Sequence, residues 1–232
     1  MARILYELLG RDDRRFSPYC WRTRFALAHL GLELDEIVPC GFTEMERVAF
    51  SGGKTVPVLV DGDVTIRDSW DIAVYLDETY GAGAHGPLWD GAQGRHFAHF
   101  INFWTDRSVH PPLFQTIIGD VFARVRDEDQ AYFRETREKR FGKTIEAMAA
   151  NRETHQAALA QVLTPMRAIL SAQDYLCGAA PAYADYVVLG TFQWARCTSP
   201  HELLAQDDPI HAWRERLLDL YDGLGRKAKI AA

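Results

Sequence analysis

The sequence is poor in cysteine, and the few it has are not placed to act together. Cys20, Cys40, Cys177 and Cys197 are the only four in 232 residues, and they form neither a CxxC pair nor a metal-ligand spacing. A disulfide-stapled or metal-organised fold is not expected; free thiols in a reducing compartment are. No apolar run approaches the ~20 residues that a membrane helix needs. The opening MARILYELLG has no charged region followed by a long apolar core, so no signal peptide is visible and a cytoplasmic location is expected. Positive charge is in deficit, with a formal net charge of -6. That balance argues against nucleic acid or an anionic membrane as partner. The basic residues between Arg124 and Lys143 are interleaved with Asp127, Glu128, Asp129, Glu135 and Glu138, which reads as a solvated helix face. No internal repeat is present.

What remains is an ordinary globular composition, 47% hydrophobic and 25% charged. Its first third changes period often. Ile4 to Leu8 reads as a strand, and Phe16 to Leu32 as a helix capped by Ser17, with Pro18 in the first turn and Gly31 at the end. Leu34 to Val38 is a second strand and Thr43 to Phe50 a short helix. Val56 to Ile66 forms a hairpin across Asp61-Gly62-Asp63, and a helix follows from Ser69 to Gly81. The order β-α-β-α-β-β-α is that of an α/β thioredoxin-like domain. We place this domain at residues 1–80, a glycine-rich linker at 81–90 and an all-helical domain at 91–232. Helices are predicted near 91–117, 120–150, 152–171, 184–197 and 208–221. Pro111-Pro112 should kink or end the first, and Pro165 lies inside the third or bends it.

Three segments could carry chemistry. Ser17 stands at the mouth of a helix, where free N–H groups and the positive end of the macrodipole favour an anion, so its hydroxyl can donate to a thiolate supplied by a ligand. It could equally be a plain cap. Val56-Pro57 starts a strand; a cis proline here would turn the Val56 backbone outward to pair with an extended peptide. Asp68-Ser69 starts a helix, where the N–H groups and hydroxyl can hold a carboxylate and the acidic side chain an ammonium group. Together they describe a site for a short peptide with an amino-acid head, an extended middle and a thiol. Cys20 gives a rival reading as nucleophile, although it lies one turn deeper than the exposed end of the helix.

These residues resemble those of the cytosolic glutathione transferases, and the resemblance covers nearly the whole chain. In the serine-type classes of that family the active serine stands where Ser17 does, ahead of a Trp-Arg pair like Trp21-Arg22. Val56-Pro57 resembles the valine and cis-proline that pair with the cysteinyl backbone of glutathione, and Asp68-Ser69 the pair that holds its γ-glutamyl head. The stretch from Asp174 to Asp185 is similar to the motif ahead of the family's buried helix, except that Ala182 stands where Ser or Thr is usual. The likeness is nearest to the bacterial glutathione-dependent β-etherases and the fungal etherase-like class. It rests on Ser17 to Thr23, Gly41-Phe42-Thr43, and Asp207-Asp208-Pro209 with Leu220 to Arg226.

The resemblance implies glutathione as cosubstrate, no metal, and a homodimer. Lys54 and Thr43 become partners for the glycine end of glutathione. Tyr19, Trp104, His110 and Phe114 become the wall for an apolar, aromatic electrophile, with His110 a candidate acid for a leaving group. β-Aryl ether cleavage is one such reaction. A non-catalytic carrier of glutathione or phenolic ligands, a thiol reductase using Cys20, and a structural module are the alternatives.

Overall fold

The computed structural model describes residues 2–231. Strands β1 (Arg3–Leu8), β2 (Glu36–Cys40), β3 (Val58–Asp61) and β4 (Val64–Arg67) form one sheet in the order β2-β1-β3-β4. β1 runs parallel to β2 and antiparallel to β3, and β3 is antiparallel to β4. Helices α1 (Pro18–His29) and α2 (Ser69–Tyr80) complete a thioredoxin-like domain, with a 3-10 turn at Met45–Ser51 where a short helix was predicted. The second strand lies two residues later than predicted. Its parallel register with β1, from Ile4–Glu36 to Leu8–Cys40, buries Cys40 against Val48 and Val58 and leaves Leu34 ahead of the strand. No helix or strand occurs between Tyr80 and Gly91.

The remainder is helical: α3 (Gly91–Trp104), α4 (His110–Arg124), α5 (Asp127–Phe141), α6 (Ile145–Ala149), α7 (Arg152–Val162), α8 (Thr164–Leu170), α9 (Tyr183–Thr198) and α10 (Pro209–Gly223). The helices differ from expectation where a break is set by packing. The interruption expected at Pro111-Pro112 falls just before them, between α3 and α4. Both prolines sit in the opening turn of α4, where missing N–H groups cost least, just after a π-helical turn at Thr105–Val109. The predicted 120–150 helix is split at Val125, extended and wholly buried, and at Gly142, which is left-handed with φ 65°. The 152–171 helix is split at Leu163, with Pro165 in the first turn of α8. No helix among the described residues is long and apolar enough to cross a membrane.

One apolar core runs through both domains, and α9 lies in its middle against α1. The approach depends on Gly190: a Cβ there would sit 2.4 Å from the carbonyl oxygen of Pro18. At the start of α9, the wholly buried Asp185 accepts from the N–H groups of Leu176 (2.8 Å) and Ala182 (3.0 Å) and from Trp213 Nε1 (2.8 Å). The Asp185 half of a capping box is therefore intact, and Ala182 lacks only the returning side-chain acceptor.

Candidate functional site

Ser17 caps α1 because its backbone is extended (φ -64°, ψ 122°) while Pro18 is already shaped for the first turn. Its Oγ accepts from the Cys20 N–H at 3.3 Å. That bond uses a lone pair, so the hydroxyl proton stays available to a ligand. Ser17 lines a cavity of about 330 Å³ between the domains. Val56, Thr55 and Lys54 form the adjoining first-domain wall, and the Val56–Pro57 peptide is cis as predicted.

Asp68 and Ser69 do not line this cavity, but the sheet brings them beside it. The β3–β4 register pairs Val58 with Arg67, so Pro57 and Asp68 are the next residues along the two chains. Asp68 has φ 71°, and its Oδ1 accepts from the Trp70 N–H at 2.8 Å, capping α2. Its charge is among those that raise the Tyr19 phenol, after burial and the Asp106 carboxylate, while Arg22 opposes them. Ser69 is buried, and its carbonyl accepts from the Tyr183 hydroxyl at 2.8 Å.

Tyr19, His110 and Phe114 stand on the cavity wall; Trp104 does not. The Tyr19 ring lies edge-on to His110 with its oxygen 3.4 Å from Nδ1. His110 is not suited to protonate a leaving group. Burial, then Arg22 and Arg140, hold its pKa well below the ordinary histidine value, so it is neutral near pH 7. The Asp106 carboxylate lies 3.5 Å from Nδ1, on the same side of the ring as the Tyr19 hydroxyl. Nε2 shares a hydrogen bond with the Thr191 hydroxyl at 2.7 Å. Asp106 is itself held by the buried Arg22 guanidinium at 2.6 Å, with Asn102 Oδ1 on the other nitrogen at 2.9 Å.

One further expectation needs correction, and the rival reading of Cys20 loses its support. Thr43 is not on the cavity wall: its N–H and hydroxyl donate to the buried Asp129 at 2.8 and 2.7 Å, and Arg126 Nε completes that carboxylate at 2.7 Å. The Gly41-Phe42-Thr43 stretch is instead a seam between domains. Gly41 leaves room for Arg126, and Phe42 packs edge-on to Phe133 at 5.3 Å. Cys20 is 3% exposed, and burial pushes its thiol up to about 12, so it is protonated at neutral pH and a poor nucleophile.

The sequence reading missed the contribution of α5. Phe133, Arg137, Arg140 and Phe141 line the cavity, so part of this charged helix is not a solvated face. Their i, i+4, i+7, i+8 spacing is the signal that could have shown it. Trp194 of α9 stacks on Phe114 at 5.1 Å and closes the aromatic end. Among the described residues, no cluster of three or more His, Cys, Asp or Glu side chains is placed to hold a metal ion.

A thioredoxin-like domain joined to an all-helical one, with a helix-mouth serine facing the cleft between them, defines the class of protein. Family models agree with it. The N-terminal domain of glutathione S-transferases matches residues 16–79, and the C-terminal domain matches residues 97–219. The chain belongs to the glutathione S-transferase family. It is 44% identical over 69 residues to glutathione S-transferase Z1 of Arabidopsis thaliana, a match spanning 28% of this chain and 31% of that relative. Its structure is similar to that of glutathione transferase GSTFuA3 from Phanerochaete chrysosporium, with TM-score 0.76, 26% identity, and 96% and 92% of the two chains covered. It is also similar to CsGST63524 of Ceriporiopsis subvermispora, solved in complex with glutathione, with TM-score 0.82, 21% identity and coverage of 96% and 97%.

Proposed function

We propose that the protein is a glutathione transferase in which Ser17 activates the thiol for attack on an apolar, aromatic electrophile. One observation carries this reading: the Ser17 hydroxyl lies at the mouth of α1, its proton uncommitted, on the same cavity as Val56 and Lys54. Glutathione extends along Val56, with its glycine carboxylate toward the exposed Lys54 and its ammonium toward Asp68. Ser17 donates to the sulfur, and the α1 dipole favours thiolate over thiol. The sulfur then bonds to the electrophilic carbon. In an aryl ether the carbon–oxygen bond breaks and a phenolate leaves. The stacked Phe114 and Trp194 rings supply a flat apolar wall for the aryl group.

The test is Ser17→Ala, assayed with glutathione against aryl ether, halogenated and epoxide acceptors. Turnover should fall by about 10²-fold, as for removal of one donor to a developing anion, with glutathione binding retained by calorimetry. Unchanged turnover would remove Ser17 from the mechanism. Retained binding of glutathione by a wild-type protein with no turnover would make it a carrier.

We further infer a homodimer through α3. Phe97, Phe100 and Phe103 are exposed along this helix, an apolar stripe suited to a second copy of the chain. Phe100→Asp should convert a dimer into a monomer by light scattering, and a monomeric wild type would end this inference.

A further inference from the structure

Thiol activation leaves the basic side of the cavity unexplained. Arg137 is half-buried there, with its guanidinium 4.7 Å from the Phe133 ring and 5.3 Å from the Phe42 ring, so aromatics from both domains cover it. Its one side-chain hydrogen bond among the described residues is Nη1 donating to Thr136 Oγ1 at 2.8 Å. Among the described residues, no carboxylate lies within 4.0 Å of Arg137 or of Arg140 beside it. Other arginines nearby are matched. Arg134 is paired with Glu138 and Glu146, and Arg126 with Glu44, Glu128 and Asp129. The carboxylate within the cavity, Asp106, is already engaged by Arg22. Burial lowers the Arg137 pKa; Tyr132 opposes it, and the neighbouring Arg140 lowers it a little further. A half-buried cation short of countercharge is costly unless a ligand supplies an anion, and a guanidinium fork matches a carboxylate.

We propose that Arg137, with Arg140 beside it, recognises a carboxylate on the aryl part of the second substrate, so that the acceptors are acidic aromatics. The inference rests on the glutathione transferase reading and names the acceptor class for it. Glutathione has carboxylates of its own, but Lys54 and the start of α2 stand for these on the first-domain side. The Arg137 guanidinium is carried by α5, which also places Phe133 and Phe141 against the aryl ring.

The test is equilibrium binding of S-(4-carboxybenzyl)glutathione against S-benzylglutathione, by calorimetry, so that no turnover is needed. Wild type should prefer the carboxylated conjugate at least tenfold. Arg137→Gln should bring the ratio of the two affinities close to one, and Arg137→Lys should keep part of it. A wild-type ratio near one overturns the proposal. So does an Arg137→Gln variant that weakens both conjugates by the same factor, since the guanidinium then holds the tripeptide. If wild type binds neither conjugate, the glutathione reading itself falls and this assignment falls with it.

Discussion

The two walls of the cavity are built by different means. On the first-domain side, each functional group is set by its neighbours in the chain: Ser17 by Pro18 and the α1 N-terminus, Val56 by Pro57, Asp68 by the Trp70 N–H. On the helical side, the wall is assembled from α4, α5 and α9, whose contributions Phe114, Arg137 and Trp194 lie far apart in sequence. The first wall therefore suits a ligand of fixed chemistry, read by local backbone geometry. The second depends on how helices pack, and a few substitutions there would change its shape and charge.

The largest expected effect tests the first wall. Ser17→Ala, with its ~10²-fold loss of turnover, should lower stability only by the lost cap on α1 if the oxygen acts mainly on the ligand. A cap-sized loss of about 1 kcal/mol is the structural share. Next, Gly190→Ala tests how far the first wall leans on the second domain. Its Cβ would meet the Pro18 carbonyl, so α1 and α9 must separate. Overpacking of this kind costs about 1–3 kcal/mol, read by denaturant unfolding. Because Pro18 adjoins Ser17, kcat should fall with it. A variant of full stability and activity would show that the two walls are mechanically independent.

A smaller effect comes from His110 in the second wall. Its folded pKa is depressed, chiefly by burial, whereas the unfolded chain takes up a proton near the ordinary value of 6.5. Its contribution to stability is present above about pH 6.5 and is lost as pH falls below it. His29, also lowered by burial and by His85, has the same sign. Asp185, raised to about 6 by burial against its three donors, has the opposite sign between its unfolded and folded pKa values. The measurement is thus the difference between wild type and His110→Gln in urea unfolding at pH 7.5 and 5.5. The variant should lose less stability on acidification, and equal losses would show that the ring titrates normally. The smallest effect is a gain. Ala182→Ser restores the missing half of the capping box at α9 and should stabilise by about 0.5–1 kcal/mol.

The strands and both helices of the first domain could be read before the structure because capping, proline and turn chemistry act over three or four residues. The charged segment of α5 misled for the same reason. Arg126, Arg134 and Arg137 look alike locally, yet the first two are ion-paired and the third covers Phe42 and Phe133 without a carboxylate. Nothing local to Thr43 reveals its partner, Asp129, which is 86 residues away. Nothing beside His110 in the sequence reveals its contact with Thr191 or the nearby Arg22 charge.

By itself, then, the sequence determined the thioredoxin-like order of elements, the cap at Ser17 and the Val56-Pro57 strand entry, since these depend on short-range sterics and hydrogen bonding. Tertiary structure alone decided that Arg137 faces a cavity, that Cys20 and His110 are held uncharged, and that Gly190 lets two helices touch behind the serine. Those properties arise from burial and from distances between residues remote along the chain, and such distances exist only once the helices have packed.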